Sequence, residues 1–317
     1  MSDNVDTTHD LVIVGGGPAG LTAAIYARRA LLDTVLLERE SYGGQAVLTT
    51  DIDNYPGVPH ADGFSLGDAM RSQADELGTT MLSDAVTSIA HDDGSFATTT
   101  LSGSVLRSRS VVFSGGAQPR RAGFEGEEAF TGRGVSYCAT CDAMFYRGKD
   151  VFVVGGGNSA AEESLFLARI AKSVTVLVRK DHLRAQASVV RQLEEADNVT
   201  LLLQTSVVRV EGDQLVGSIT LRDNATGEER TIARDEGSFG VFVLVGRVPD
   251  SQLVAGLCEL DPQGYVIADD RMATSTPGLF VAGDVRRKYL RQVVTAASDG
   301  AIAATAVAAF LGQPVEG

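Results

Sequence analysis

Leu11-Val12-Ile13-Val14 is an uninterrupted apolar run that stops at Gly15-Gly16-Gly17-Pro18-Ala19-Gly20, after which Leu21-Thr22-Ala23-Ala24-Ile25-Tyr26-Ala27 resumes at helical spacing. The pattern predicts a buried strand, a glycine turn and a helix. It returns at Val151-Phe152-Val153-Val154, Gly155-Gly156-Gly157-Asn158-Ser159-Ala160 and Ala161 to Leu167, so the two glycine clusters start 140 positions apart (155 less 15). One supersecondary unit is therefore predicted twice. Each copy has the second strand that a βαβ unit needs: Thr34 to Glu38 in the first, Val174 to Lys180 in the second. Apolar strands at Val111-Val112-Phe113 and Val241 to Val245 lead into Gly115-Gly116-Ala117-Gln118-Pro119 and Gly246-Arg247-Val248-Pro249, which read as linkers. Gly278 to Asp284 reads as one more buried strand ending in an acid. If it completes the first sheet, the second domain is an insertion. The expected fold class is α/β, with two Rossmann-like dinucleotide-binding domains, the second (117–246) inserted in the first (1–116 and 247–317).

Composition narrows the partners. The 317 residues carry a net charge of -14, which argues against nucleic acid and against an anionic membrane surface, because both need a basic face. Only four of the 27 basic residues are lysine (149, 172, 180, 288), a balance found in salt-adapted proteins and in acidic proteins of GC-rich genomes alike. Three cysteines make no disulfide framework, and the start Met1 to Asp6 is acidic without an apolar signal region, so a cytoplasmic protein is expected. The alanine-rich stretch 293–311 carries Asp299 and is not expected to span a membrane.

The first glycine cluster has the pattern G-x-G-x-x-G at Gly15, Gly17 and Gly20: a tight turn, a backbone that can approach a pyrophosphate, and close helix–strand packing. Glu38, at the end of the following strand, is placed to accept hydrogen bonds from a ribose diol. The second cluster reads G-x-G-x-x-A, and its second strand ends in Val178-Arg179-Lys180, with Arg184 nearby. Cations at that place attract a 2′-phosphate where a carboxylate would repel it, so NADPH rather than NADH is the expected second dinucleotide.

Cys138-Ala139-Thr140-Cys141-Asp142 holds two of the three cysteines. A structural zinc site needs four ligands, and beyond this pair only Cys258 and the isolated His9, His60, His91 and His182 remain, so no metal is expected. A permanent staple closing so short a loop would constrain little. C-x-x-C is the spacing at which one thiolate attacks and the other resolves, and Asp142 can deliver or remove the proton. Cys258 reads as a small buried hydrophobe.

Taken together, these residues resemble the low-molecular-weight, bacterial-type thioredoxin reductases over essentially the whole chain. The matching stretches are 15–20, Gly43-Gly44-Gln45, Asn54-Tyr55-Pro56-Gly57, 138–142, Gly155 to Glu163, Ala282-Gly283-Asp284-Val285 and Arg291-Gln292-Val293. The resemblance implies FAD in the first domain, against Gly15, Gly17, Pro18, Ala19, Gly20, Glu38, Gly44, Gln45, Asn54, Asp284, Arg291, Gln292 and Val293. It implies NADPH in the second, against Gly155, Gly157, Asn158, Ser159, Ala160, Arg179, Lys180 and Arg184. By the same resemblance Cys141 faces the flavin, Cys138 forms the mixed disulfide with thioredoxin or a thioredoxin-like protein, and Asp142 is the neighbouring acid. Rotation of the inserted domain at 115–117 and 246 would bring dithiol and NADPH alternately to the flavin, in a homodimer built through the FAD domain. Two departures stand out: Val178-Arg179-Lys180 where the family has His-Arg-Arg, and Ser114-Gly115-Gly116-Ala117 where it has Ala-Thr-Gly-Ala. The first leaves a related flavin-dependent dithiol oxidoreductase, with another electron donor or acceptor, as the alternative.

Overall fold

The computed structural model describes residues 8–49 and 52–314, so the acidic start lies outside the described residues. The chain divides into two compact units, Met1–Gln118 with Val248–Gly317, and Pro119–Arg247.

In the first unit β1 (Thr8–Val14), α1 (Pro18–Arg29) and β2 (Thr34–Glu38) form the predicted strand–turn–helix–strand unit. α2 (Gly63–Glu76) follows, with Asp62 accepting the Ser65 N–H at 2.8 Å as its cap. Next come β3 (Thr80–Ser83), β4 (Val86–Asp92), β5 (Ser95–Thr100) and β6 (Val105–Phe113). The sheet runs β3-β2-β1-β6-β5-β4. Its parallel part explains the unbroken apolar runs: every residue of β2 is buried, as a strand covered on both faces must be. β5 pairs antiparallel with both neighbours and alternates instead, burying Phe96, Thr98 and Thr100.

β7 (Ala117–Pro119) leaves this unit, and the second unit opens with β8 (Val135–Ser136) and the short α3 (Ala139–Asp142). The repeated glycine unit follows as β9 (Asp150–Val154), α4 (Asn158–Ala168) and β10 (Ser173–Leu177), then α5 (Ala187–Glu195) and β11 (Val199–Leu202). β12 (Thr205–Gly212), β13 (Val216–Asp223) and β14 (Glu229–Ala233) make an antiparallel sheet. With β15 (Phe239–Val243) the parallel sheet is ordered β11-β10-β9-β15-β8. The second strand of this copy ends at Leu177 rather than at Lys180: Arg179 and Lys180 are exposed, and polar side chains without cover do not extend a buried strand.

β16 (Arg247–Pro249) returns to the first unit and pairs with β7. β17 (Leu279–Val281) is the buried strand expected from its apolar run, and it pairs parallel with β6 to complete the first sheet. α6 (Val293–Phe310) closes the chain; by length and composition it could cross a membrane, with a mean hydropathy of 1.6. Here it supplies Ala303, Ala304 and Val307 to the core shared with Leu21, Ala24 and Ile25 of α1. The two helices touch through small residues, since a Cβ on Gly300 would collide with the Ala19 carbonyl oxygen.

Candidate active site and dinucleotide cradles

Gly134 at φ +122° turns the chain into β8, where a Cβ would press within 2.6 Å of the Val216 side chain. Cys138 follows in extended conformation and α3 curls the chain back, so Cys138 and Cys141 meet as a disulfide with their Cα atoms 5.3 Å apart. The Ser136 hydroxyl donates to Asp142 Oδ2 at 2.6 Å and accepts the Cys138 N–H at 3.1 Å. Burial raises the Asp142 pKa, and the Ser136 hydrogen bond opposes it.

A second carboxylate reaches the same turn. Glu163 Oε2, on α4, accepts the Ala139 N–H at 3.1 Å. Its pKa is raised by burial, while the Ala139 hydrogen bond and the positive charge of Arg247 act in the opposite sense. On the other side of Cys138, Tyr137 donates to Glu127 Oε1 at 2.9 Å, and the Glu127 carboxylate also accepts the Ala122 and Gly123 N–H groups. Burial and that carboxylate push the Tyr137 phenol up to about 12. Tyr146, edge-on to Phe242, is also pushed to about 12 by burial and then by the Asp142 charge.

Ser136, Glu163, Glu127 and Tyr146 were not among the expected site residues. Glu163 does leave a trace in the sequence: it stands three residues after Ala160 and four before Leu167, both fully buried, so it lies on the inner face of α4. Cys258 lies in the first unit, half-buried, its thiol pushed up to about 11 by desolvation. Among the described residues no group of three or more His, Cys, Asp or Glu is gathered to hold a metal.

The first glycine turn has the surroundings a diphosphate requires. Gly15, at φ +106°, lies so close to Ser114 that a Cβ would overlap its carbonyl, and a Cβ on Gly20 would overlap Gly15. Gly17 faces Gly44, whose Cβ would fall 3.0 Å from the Gly17 Cα, so two bare backbones line the turn. α1 begins with Pro18, has no side-chain cap and no acid in its first turn, and so leaves its terminal amides for an anion. Glu38, buried at the end of β2, accepts the Gly16 N–H at 2.6 Å and the Glu40 N–H at 2.8 Å.

The expected flavin-facing residues gather in this unit. Asn54 donates to Gln292 Oε1 at 3.1 Å, and Gln292 and Thr295 cap α6 reciprocally, with Val293 as its first residue. Arg291 donates from Nε to the Asp284 carbonyl at 3.3 Å and stacks over Tyr265 at 4.1 Å. Gln45 is exposed on the 3₁₀ turn Gly44–Leu48. Ala19 packs against Gly283, whose Cβ would come within 2.9 Å of it.

The second cradle follows the same plan. A Cβ on Gly155 would come within 2.5 Å of the Leu244 carbonyl oxygen and 2.7 Å of Ala160 Cβ, whereas at Gly157 it would meet open space. α4 has no side-chain cap and no acid in its first turn, Ser159 is exposed there, and Asn158 Oδ1 accepts the Gln186 N–H at 2.9 Å. The Arg184 N–H donates to the Gly156 carbonyl at 2.7 Å, which brings that residue against the loop, and the side chains of Arg179, Lys180 and Arg184 are exposed. Val178 is buried, lying 2.9 Å from where a Gly156 Cβ would be.

Two dinucleotide cradles and a dithiol with a half-buried acid define a class, and residues 9–300 match the family model of the pyridine nucleotide-disulphide oxidoreductases. The thioredoxin reductase of Peptoclostridium acidaminophilum is 42% identical over 304 residues, covering 95% of this chain and 96% of its own. A bifunctional thioredoxin reductase/thioredoxin of Mycobacterium leprae is 40% identical over 301 residues, covering 94% of this chain and 65% of its own. The crystal structure of a thioredoxin reductase from Streptococcus pyogenes superimposes with a TM-score of 0.91 at 38% identity, covering 98% of this chain and 100% of that one. The chain belongs to the thioredoxin reductases of the pyridine nucleotide-disulphide oxidoreductase family.

Proposed function

We propose that the protein is an NADPH-dependent flavoprotein that reduces the disulfide of thioredoxin or a thioredoxin-like protein. The observation that carries this is the Cys138–Cys141 disulfide beside the half-buried Asp142, in the unit that also bears the cation-flanked second cradle. Bound NADPH and FAD supply the hydride and the two-electron relay. FAD is assigned to the first cradle, where Glu38 closes the glycine turn, and NADPH to the second.

The chain's own chemistry is thiol–disulfide exchange. The Cys138 thiolate attacks the substrate disulfide, a Cys138–substrate bond forms, and one substrate thiolate leaves and takes a proton. The Cys141 thiolate then attacks Cys138 Sγ, restoring the disulfide seen here and releasing the second substrate thiolate. Two electrons have passed to the substrate. Asp142, held in place by Ser136, supplies that proton, and the carboxylate left behind takes the proton of the Cys141 thiol to give the attacking thiolate. We propose that the dithiol is re-reduced and meets its protein substrate in two different orientations of the second unit. The chain passes between them only at 118/119 and 247/248. Beside these crossings Gly116 (φ +74°) and Gly246 (φ +104°) have open space where a Cβ would stand, so they can absorb the change.

NADPH as donor is supported by the Arg184 backbone lying against the glycine loop of the second cradle and by three exposed cations, Arg179 and Lys180 directly after the buried Val178, and Arg184. Anaerobic titration with NADPH and NADH, followed by oxidised thioredoxin, tests donor, flavin and acceptor in turn. Flavin that bleaches with neither nucleotide would leave the alternative donor standing. We further propose a cytoplasmic homodimer through the first unit, where Tyr26 of α1 and Ile302 and Phe310 of α6 are exposed apolar residues. Light scattering of the purified protein reads its mass directly.

A further inference from the structure

α6 is almost wholly apolar, yet it buries a carboxylate. Asp299 is 4% exposed, and its side chain receives four donors: Gly283 N at 3.0 Å, Arg286 Nε at 2.9 Å and Nη2 at 3.2 Å, and Lys288 Nζ at 2.6 Å. Lys288, itself buried, also donates to the Thr295 carbonyl at 3.2 Å. Every donor comes from residues 283–288, and Thr295 lies in the first turn of α6. The cluster therefore ties the turn that carries Asp284 to the helix start that carries Gln292 and Val293. Arg291, between them, is held to the Asp284 carbonyl.

Packing does not need these charges. α1 and α6 already meet through Ala19, Gly300 and an aliphatic core. A buried ion pair is commonly no more stabilising than apolar residues of the same volume, and in some proteins it serves to select one arrangement. The segments that this pair joins carry Asp284, Arg291 and Gln292. The Asp284 charge also reaches Lys288, whose pKa is lowered by burial and supported by Asp299 and Asp284 against Arg286.

We infer that Asp299 is a positioning residue for the flavin: one carboxylate gathers the Gly283 N–H, Arg286 and Lys288 and so sets Asp284 and Arg291 to Val293 against the cofactor. This rests on the assignment of FAD to the first cradle.

The test compares the holoenzyme with Asp299→Asn and with the triple variant Asp299→Leu, Lys288→Met, Arg286→Leu, which removes the carboxylate together with the two cations that pair with it. FAD dissociation is read from released-flavin fluorescence on dilution, the flavin environment from the visible absorption band and its reduction potential, and the fold from circular-dichroism melting. The expected result is a triple variant that melts like the wild type while its FAD dissociation constant rises at least tenfold and its band and potential shift. Wild-type FAD affinity, band and potential in the triple variant would overturn the inference. So would its failure to fold, since the cluster would then serve the fold and not the flavin. A wild-type protein that binds no FAD would instead sink the underlying assignment.

Discussion

The hydroxyl of Ser136 lies 2.6 Å from Asp142 Oδ2 and donates to it, while the Cys138 N–H donates to the same hydroxyl. One side chain thus sets both the acid and the backbone of the attacking cysteine. Burial alone raises the Asp142 pKa, and Ser136 is what opposes it. In Ser136→Ala the pKa should rise further. The limb of the turnover profile that needs ionised Asp142 should then move to higher pH, with about a tenfold loss below it. The stability change has a definite sign. A carboxylate with a raised folded pKa binds more protons folded than unfolded, so stability falls as pH rises from the ordinary Asp value through the folded one. Melting temperatures across that range should fall over a wider window in Ser136→Ala than in the wild type. Profiles that superimpose would show that Ser136 does not act on Asp142.

Glu163 sets the electrostatics from the opposite side. Its carboxylate accepts the Ala139 N–H, one residue from Cys138, and opposes negative charge on the reduced dithiol. Glu163→Gln keeps an acceptor and removes the charge, so the dithiol should become easier to reduce and a weaker reductant. A tenfold change in its equilibrium with thioredoxin corresponds to about 30 mV. Redox titration at pH 8 measures it, and an unchanged or lower potential contradicts the argument. Glu163→Ala should cost about 1–3 kcal/mol of stability as well, because the Ala139 N–H loses its partner.

The two sulfurs should separate by trapping. Cys138→Ser should abolish thioredoxin reduction and keep its flavin. Cys141→Ser should accumulate a mixed disulfide between Cys138 and a single-cysteine thioredoxin, visible as a mass adduct. An adduct formed at Cys141 in the converse variant, at comparable yield, would reverse the assignment.

Nucleotide preference should lie with the exposed cations. Removing Arg179, Lys180 or Arg184 singly should raise the KM for NADPH about fivefold each, as expected for solvent-screened ion pairs worth up to about 1 kcal/mol. The KM for NADH should scarcely move. Equal effects on the two nucleotides would mean that these residues support the loop rather than read a 2′-phosphate.

What the sequence determined by itself was local. Two glycine turns, each between an apolar strand and a helix, are legible because tight turns, close backbone approach and burial on both faces of a parallel sheet each select residue types within a few positions. The closing strand Leu279–Val281 and the Cys138–Cys141 spacing were legible for the same reason. What tertiary structure decided was which distant groups meet. Glu163 reaches Ala139 across 24 residues, and Asp299 gathers donors 11 to 16 residues away. Ser136 is one of many serines until β8 and α3 turn its hydroxyl toward Asp142. A carboxylate's partner depends on where the fold carries it, because a hydrogen bond needs about 3 Å of proximity and sequence spacing fixes such distances only within a single helix or strand.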